Sequence, residues 1–127
     1  MDANKRLRKI SKFILERRAA TEAKGAVNFS AFDYEYRWKH TLRVVQYGKQ
    51  IAKAEGADVE VVMAACLLHD ISKFDDKEYG VEHGRVSARI ARPFLETLGY
   101  SAAQLNNICF SIAVHVDDKA DFKHPIT

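Results

Sequence analysis

Apolar residues recur along this chain at intervals of three and four, the period of a helix, and nowhere alternate as a half-buried strand requires. Residues 3–19 read as an amphipathic helix. Leu7, Ile10, Phe13 and Ile14 form its stripe, with Lys5, Arg8, Lys9, Lys12 and Arg17 around it. Thr21 to Ser30 reads as a loop containing Gly25, with Val27 and Phe29 tucked underneath. A second helix starts between Ser30 and Asp33, capped by Ser30, and runs to Glu55 with Gly56 as its stop. Ala31, Phe32, Trp38, Leu42, Val45, Ile51 and Ala52 are its expected buried side. Asp58 caps a third helix, whose run Val61 to Leu68 is apolar all round and therefore predicts the central buried helix.

Phe74 to Gly80 reads as a charged surface loop. The fourth helix is predicted from about Val81 or Glu82 to Leu98, stopped by Gly99, and kinked or divided by Pro93. Ser101 and Gln104 make a capping box for a fifth, with a stripe of Leu105, Ile108, Cys109, Ile112 and Val116. Asp117 to Thr127 breaks the pattern. The predicted fold is all-α, a bundle of about five to six helices in one domain over residues 1–127.

Composition narrows this little. An apolar fraction of 47% excludes a disordered chain. The longest apolar run, Val61 to Leu68, is too short to span a bilayer, and no signal-peptide core is seen, so a cytoplasmic protein without a membrane partner is expected. Cys66 and Cys109 sit in apolar helical stretches and read as buried free thiols. The net charge of +3 is uneven: residues 1–24 carry +5 and residues 25–127 carry −2. A basic first helix can attract nucleic acid. With no accompanying motif or interleaved aromatics, a solvated helix face is the simpler reading.

Candidate chemistry gathers at the end of the third helix, where His69 and Asp70 follow Leu68. Unpaired polar groups at the end of a buried helix are costly, and a metal ion would satisfy both. Adjacent side chains on a helix diverge, so one ion can take both only beyond the helix end. His40 lies at helical spacing among Trp38, Leu42 and Val44. Alone it reads as an ordinary core or surface histidine, and beside a His-Asp pair it becomes a candidate ligand. Two imidazoles and a carboxylate suit Mn, Fe, Co, Ni or Zn better than Ca. Lys73, three residues after Asp70, lies near the same face if the helix continues one turn; a salt bridge to Asp75 or Asp76 is the alternative. His83 opens the fourth helix and His115 ends the fifth, and either could be a capping or surface residue. His124 reads as a surface residue.

Taken together, His40, His69-Asp70, Lys73, His83 and His115 resemble, in order and helical setting, the HD-domain superfamily of metal-dependent phosphohydrolases, over about residues 34–116. The resemblance implies His40, His69 and Asp70 as metal ligands, with Lys73 and Arg37 as the catalytic cations at the phosphate. His83 and His115 are similar to the extra histidines of members with a second metal, such as dinucleoside polyphosphate hydrolases and cyclic dinucleotide phosphodiesterases; they could equally contact substrate. The implied cofactor is one or two divalent transition-metal ions. The implied substrate is a small phosphorylated molecule, a nucleotide foremost, hydrolysed by metal-activated water. A silent nucleotide- or protein-binding module is the alternative.

The family pattern also has one further Asp on a helix after His115. Asp117, Asp118 and Asp121 lie instead in what reads as a loop. A truncated domain is therefore expected, with partly bare apolar faces on the second and third helices that would favour a homo-oligomer.

Overall fold

Side-chain caps set three helix starts. Asp2 accepts from Lys5 N at 2.8 Å, and Asp58 accepts from Val61 N at 3.2 Å. Ser101 and Gln104 exchange a reciprocal pair of bonds, each 3.1 Å, that closes the predicted capping box. The computed structural model describes residues 1–25, 31–75, 77 and 79–115, with residues 31 and 32 as backbone alone. These residues form helices α1 (Ala3–Ala23), α2 (Ala31–Glu55), α3 (Val59–Leu68), α4 (His83–Leu95) and α5 (Ala102–Val114). Short 3-10 turns cover Ile71–Phe74, Gly80–Glu82 and Glu96–Leu98. There is no strand among the described residues, and the fold is all-α. No helix among them is long and apolar enough to cross a membrane.

α3 is the centre, as its composition predicts. Val61, Ala64, Ala65, Leu67 and Leu68 are buried, with α1, α2 and α5 packed around them and α4 lying on α5. Ile10 and Ile14 of α1 are fully buried, each contributing about 1.5–3 kcal/mol of hydrophobic stabilisation. Phe13 stacks on Phe94, ring centroids 4.2 Å apart, and so ties α1 to α4.

Several boundaries and faces differ from expectation. α1 runs through Thr21 to Ala23, because Thr21 is buried against the core and bonds back to the Arg17 carbonyl. Its basic face is not simply solvated. Arg6 grips Glu60 of α3 through two bonds of 2.9 and 2.6 Å, Arg17 grips Asp75 at 2.7 and 3.0 Å, and Arg18 reaches Glu35 of α2 at 3.4 Å. α2 turns Tyr34, Thr41, Val45 and Ala52 inward and leaves Leu42 and Ile51 exposed. The inward row falls at helical spacing, but it uses small and polar residues that apolar counting passes over. Gly48 belongs to this row: a methyl there would meet Cys66 Sγ at 2.6 Å, so the missing side chain lets α2 approach α3.

The chain around the doublet also differs. α3 ends at Leu68, and a 3-10 turn follows in place of further α-helix. That turn buries Ile71, Ser72 and Phe74, so Phe74 belongs to the core, its ring 6.2 Å from that of Tyr34, and not to a surface loop. α4 continues through Pro93 to Leu95 before tightening into a 3-10 turn that ends at Gly99 with φ 81°. Cys66 and Cys109 are free, and burial pushes both thiols up from their ordinary pKa. Val27, Phe29, Ser30, Asp76, Val116, Asp117, Asp118, Asp121 and His124 lie outside the described residues.

One buried polar link locks the 3-10 turn to α4. Ser72 N–H donates to Ser87 Oγ at 3.0 Å, Ser87 Oγ to Ser72 Oγ at 2.8 Å, and Ser72 Oγ to the His83 carbonyl at 2.9 Å. Both serines are fully buried, so each group depends on the others. Ser87→Ala strands the Ser72 N–H, and we expect a loss of about 1–3 kcal/mol in urea unfolding. A loss below about 0.5 kcal/mol, the range of ordinary surface substitutions, would contradict this link.

Candidate metal centre

Asp70 sits at the meeting point of four imidazoles. Its Oδ2 lies 3.1 Å from His69 Nε2 and 3.8 Å from His40 Nε2. Its Oδ1 lies 3.2 Å from His83 Nε2 and 3.3 Å from His115 Nε2. Four elements deliver these groups: α2 brings His40, the end of α3 brings His69 and Asp70, the start of α4 brings His83, and the end of α5 brings His115. The rings pack against one another in a row, His40 to His69 at 5.6 Å, His69 to His115 at 5.0 Å and His115 to His83 at 5.0 Å between centroids.

Three of the imidazoles are oriented by the same local device. His69 Nδ1 lies 2.6 Å from the Cys66 carbonyl, His83 Nδ1 2.7 Å from Gly80 O, and His115 Nδ1 2.6 Å from Ile112 O. Each bond runs to the carbonyl three residues back; for His69 and His115 it is one that a helix end leaves unused, while Gly80 O also takes the His83 backbone N–H. A ring that donates through Nδ1 turns the lone pair of Nε2 to its other side. All three Nε2 atoms therefore face Asp70. His83 Nε2 is buried with no hydrogen-bond partner although it lies beside the carboxylate, as a ligand atom awaiting a cation would be.

The donor set falls into two groups that could hold a metal ion, His40, His69 and Asp70 on one side and Asp70, His83 and His115 on the other. The two share Asp70, one oxygen for each. Imidazole and carboxylate donors of this kind suit first-row transition metals. Gly84 makes the second group possible: a methyl there would meet the Ala113 carbonyl at 2.8 Å and His115 Nδ1 at 3.2 Å. With glycine, the start of α4 lies directly on the end of α5, and His83 reaches His115.

The electrostatics agree with a carboxylate held in its charged form. Burial pushes the Asp70 pKa up, but His115 and His69, which donate to it through Nε2 once their rings are protonated, outweigh it and hold the group well below the usual carboxylate range. Burial pushes His69 down, yet the hydrogen bond and charge of Asp70 win and raise it. Burial, followed by the neighbouring His69, lowers His40.

Next to His83 opens a cavity of 220 Å³ lined by Arg37, Ser72, Lys73, Lys77 and Tyr79. The two cations singled out from the sequence, Arg37 and Lys73, thus share one pocket. Asp75, the described one of the two acids offered as alternative partners for Lys73, is clamped by Arg17. Lys77 and Tyr79 were not legible as pocket residues, because the run Asp75-Asp76-Lys77-Glu78 carries only the signature of a charged loop.

Residues 37–121 match the HD domain family. This chain belongs to the HD-domain family. Among its relatives is a ribonuclease Y from Chloroflexus aurantiacus, 37% identical over 81 residues, 64% of this chain and 14% of the relative. Another is a ribonuclease Y from Petrotoga mobilis, 35% identical over 60 residues, 47% of this chain and 12% of the relative. The HD-domain chain thus spans about an eighth of the length of these curated relatives. No solved structure matches it at comparable significance.

Ligand histidines must be neutral, so protons compete with the metal. We expect transition metal added to the purified protein to be retained at pH 8 and released on acidification, because a protonated imidazole repels the ion; on the His40–His69 side His69, whose pKa is raised, charges before His40, whose pKa is lowered. Asp70→Asn should lower metal content on both sides at once, and His115→Ala should spare the His40 side. Metal content after dialysis, unchanged by pH or by Asp70→Asn, would contradict the assignment.

Proposed function

We propose that this HD domain is a metal-dependent phosphohydrolase acting on a nucleotide or another small phosphoester. The observation that carries the reading is the sharing of Asp70 by two histidine pairs immediately beside a pocket lined by three cations. His40, His69 and Asp70 are the ligands of one ion; His83 and His115, with Asp70, hold a second ion or the substrate. The chemistry supplied there by a bound divalent transition metal is Lewis acidity and the activation of water at neutral pH.

The chain's own residues do the rest. Lys73 is a point charge and Arg37 a planar fork, and both stabilise charge building on the non-bridging phosphoryl oxygens. Ser72 fixes the first turn of α4 through the His83 carbonyl, and the Nδ1 bonds keep the imidazoles aimed. An RNA phosphodiester is a second reading, favoured by the ribonuclease names of the two relatives, although no nucleic-acid motif accompanies it. A silent binding module would lack metal-dependent turnover altogether.

Manganese-loaded protein should hydrolyse bis(p-nitrophenyl) phosphate. Asp70→Ala should abolish turnover while leaving the helical circular-dichroism signal intact. Lys73→Ala should lower kcat by about 10²-fold or more, the range for removal of one transition-state donor, while sparing metal content. Turnover that survives Asp70→Ala would sink the reading, and an equal loss of metal and activity in Lys73→Ala would make Lys73 structural.

A further inference from the structure

The fold does not use up the charge of its basic first helix. Arg6, Arg17 and Arg18 reach carboxylates on other elements. Lys5, Arg8 and Lys9 form no ion pair among the described residues, and Lys12 meets only Glu16 of its own helix, at 3.8 Å between two exposed side chains, a weak contact. These four cations occupy exposed positions in the first three turns of α1. Beside them runs an apolar groove of 810 Å³ between α1 and α2. Leu7 and Leu15 line it from α1, Leu42 and Val45 from α2, and Met63 and Leu67 of α3 form its floor. Arg8 and Lys12 border the same groove. Its α1 wall runs from Asn4 to Ala19, so it is about 22 Å long, about four turns of a helix. Leu42 reads as core from the sequence, yet it lies exposed here together with Leu15.

We propose that this groove docks an acidic amphipathic helix of a partner protein, whose apolar ridge fills the trough between α1 and α2 and whose carboxylates meet Lys5, Arg8, Lys9 and Lys12. Shape and charge together select this occupant. A bilayer is flat and does not reach Leu67, which is buried at the floor. Nucleic acid would use the cations but not an aliphatic trough, and no aromatic ring lines the groove for base stacking. A second copy of this chain lacks the matching charge among its described helices. There α1, α2 and α4 are net basic, α5 carries no charged residue, and α3 is central with its one acid, Glu60, held by Arg6. Docking here needs neither the metal centre nor turnover.

The test is fluorescence anisotropy with two lactam-stapled peptides of about 15 residues, held helical by the staple, that share one leucine ridge and differ only in flanks of glutamate or of lysine. Wild type should bind the glutamate peptide at least about tenfold more tightly than the lysine peptide, with an advantage that shrinks as salt rises. Arg8→Glu combined with Lys12→Glu should reverse the preference. Leu42→Asp should weaken both peptides by at least about tenfold. All three positions are exposed, so the variants should fold, as circular dichroism would verify. Equal affinity for the two peptides, or binding indifferent to Leu42→Asp, overturns the proposal. So does capture of phosphatidylglycerol vesicles or polyuridylate through Arg8 and Lys12 without binding of the glutamate peptide. A dimer in light scattering that Leu42→Asp dissolves overturns it too, since a second copy would then fill the groove.

Discussion

A carboxylate taken out of water must be compensated by positive charge or by donated hydrogen bonds, and in this chain that requirement falls on Asp70. Four imidazoles from four elements surround it, two at each oxygen, and meet the requirement only when protonated. Three of those imidazoles have already committed their Nδ1 protons to backbone carbonyls. In the neutral state their Nε2 lone pairs point at an anion, an arrangement that repels itself until protons or metal ions enter. Binding of metal, release of protons and stability of the helix ends are therefore one coupled equilibrium. The rest of the fold serves that meeting point: Gly48 brings α2 close to α3, Gly84 brings α4 onto α5, and Ser72 with Ser87 fixes the turn between.

Much of this was written plainly in the sequence. The caps at Asp58 and Ser101, the all-apolar run of α3 and the stop at Gly99 are local signals, and local signals decide helix existence. His40, His69, Asp70, His83 and His115 stood out as a set through their resemblance to HD-domain motifs, since by position alone His40, His83 and His115 each read as ordinary histidines. What was not legible depends on tertiary approach. Leu42 and Ile51 of α2 look like core and face outward, because the packing row is set by Gly48, Thr41 and Tyr34. The partner of Asp75 could not be read locally, since Arg17 lies 58 residues away in the chain. Nor could the sharing of Asp70, which requires α4 and α5 to converge on the end of α3.

The basic first helix takes a different meaning once its partners are seen. Arg6, Arg17 and Arg18 each reach a carboxylate outside α1 and act as struts between elements. Arg17 extends this role to the pocket wall beside His83. Charge that looked like a nucleic-acid arm or a solvated face is in part internal to the fold, while the cations that line the cavity beside the site, Arg37, Lys73 and Lys77, come from other elements.

Anomalous diffraction from crystals grown with manganese tests the central claim most directly, because it locates ions without recourse to activity. The account predicts density against the Asp70 carboxylate, with one peak between Oδ2 and the His40–His69 pair and, at full occupancy, a second between Oδ1 and the His83–His115 pair. Manganese bound elsewhere, with the four imidazoles around Asp70 carrying no ion at neutral pH, would contradict it.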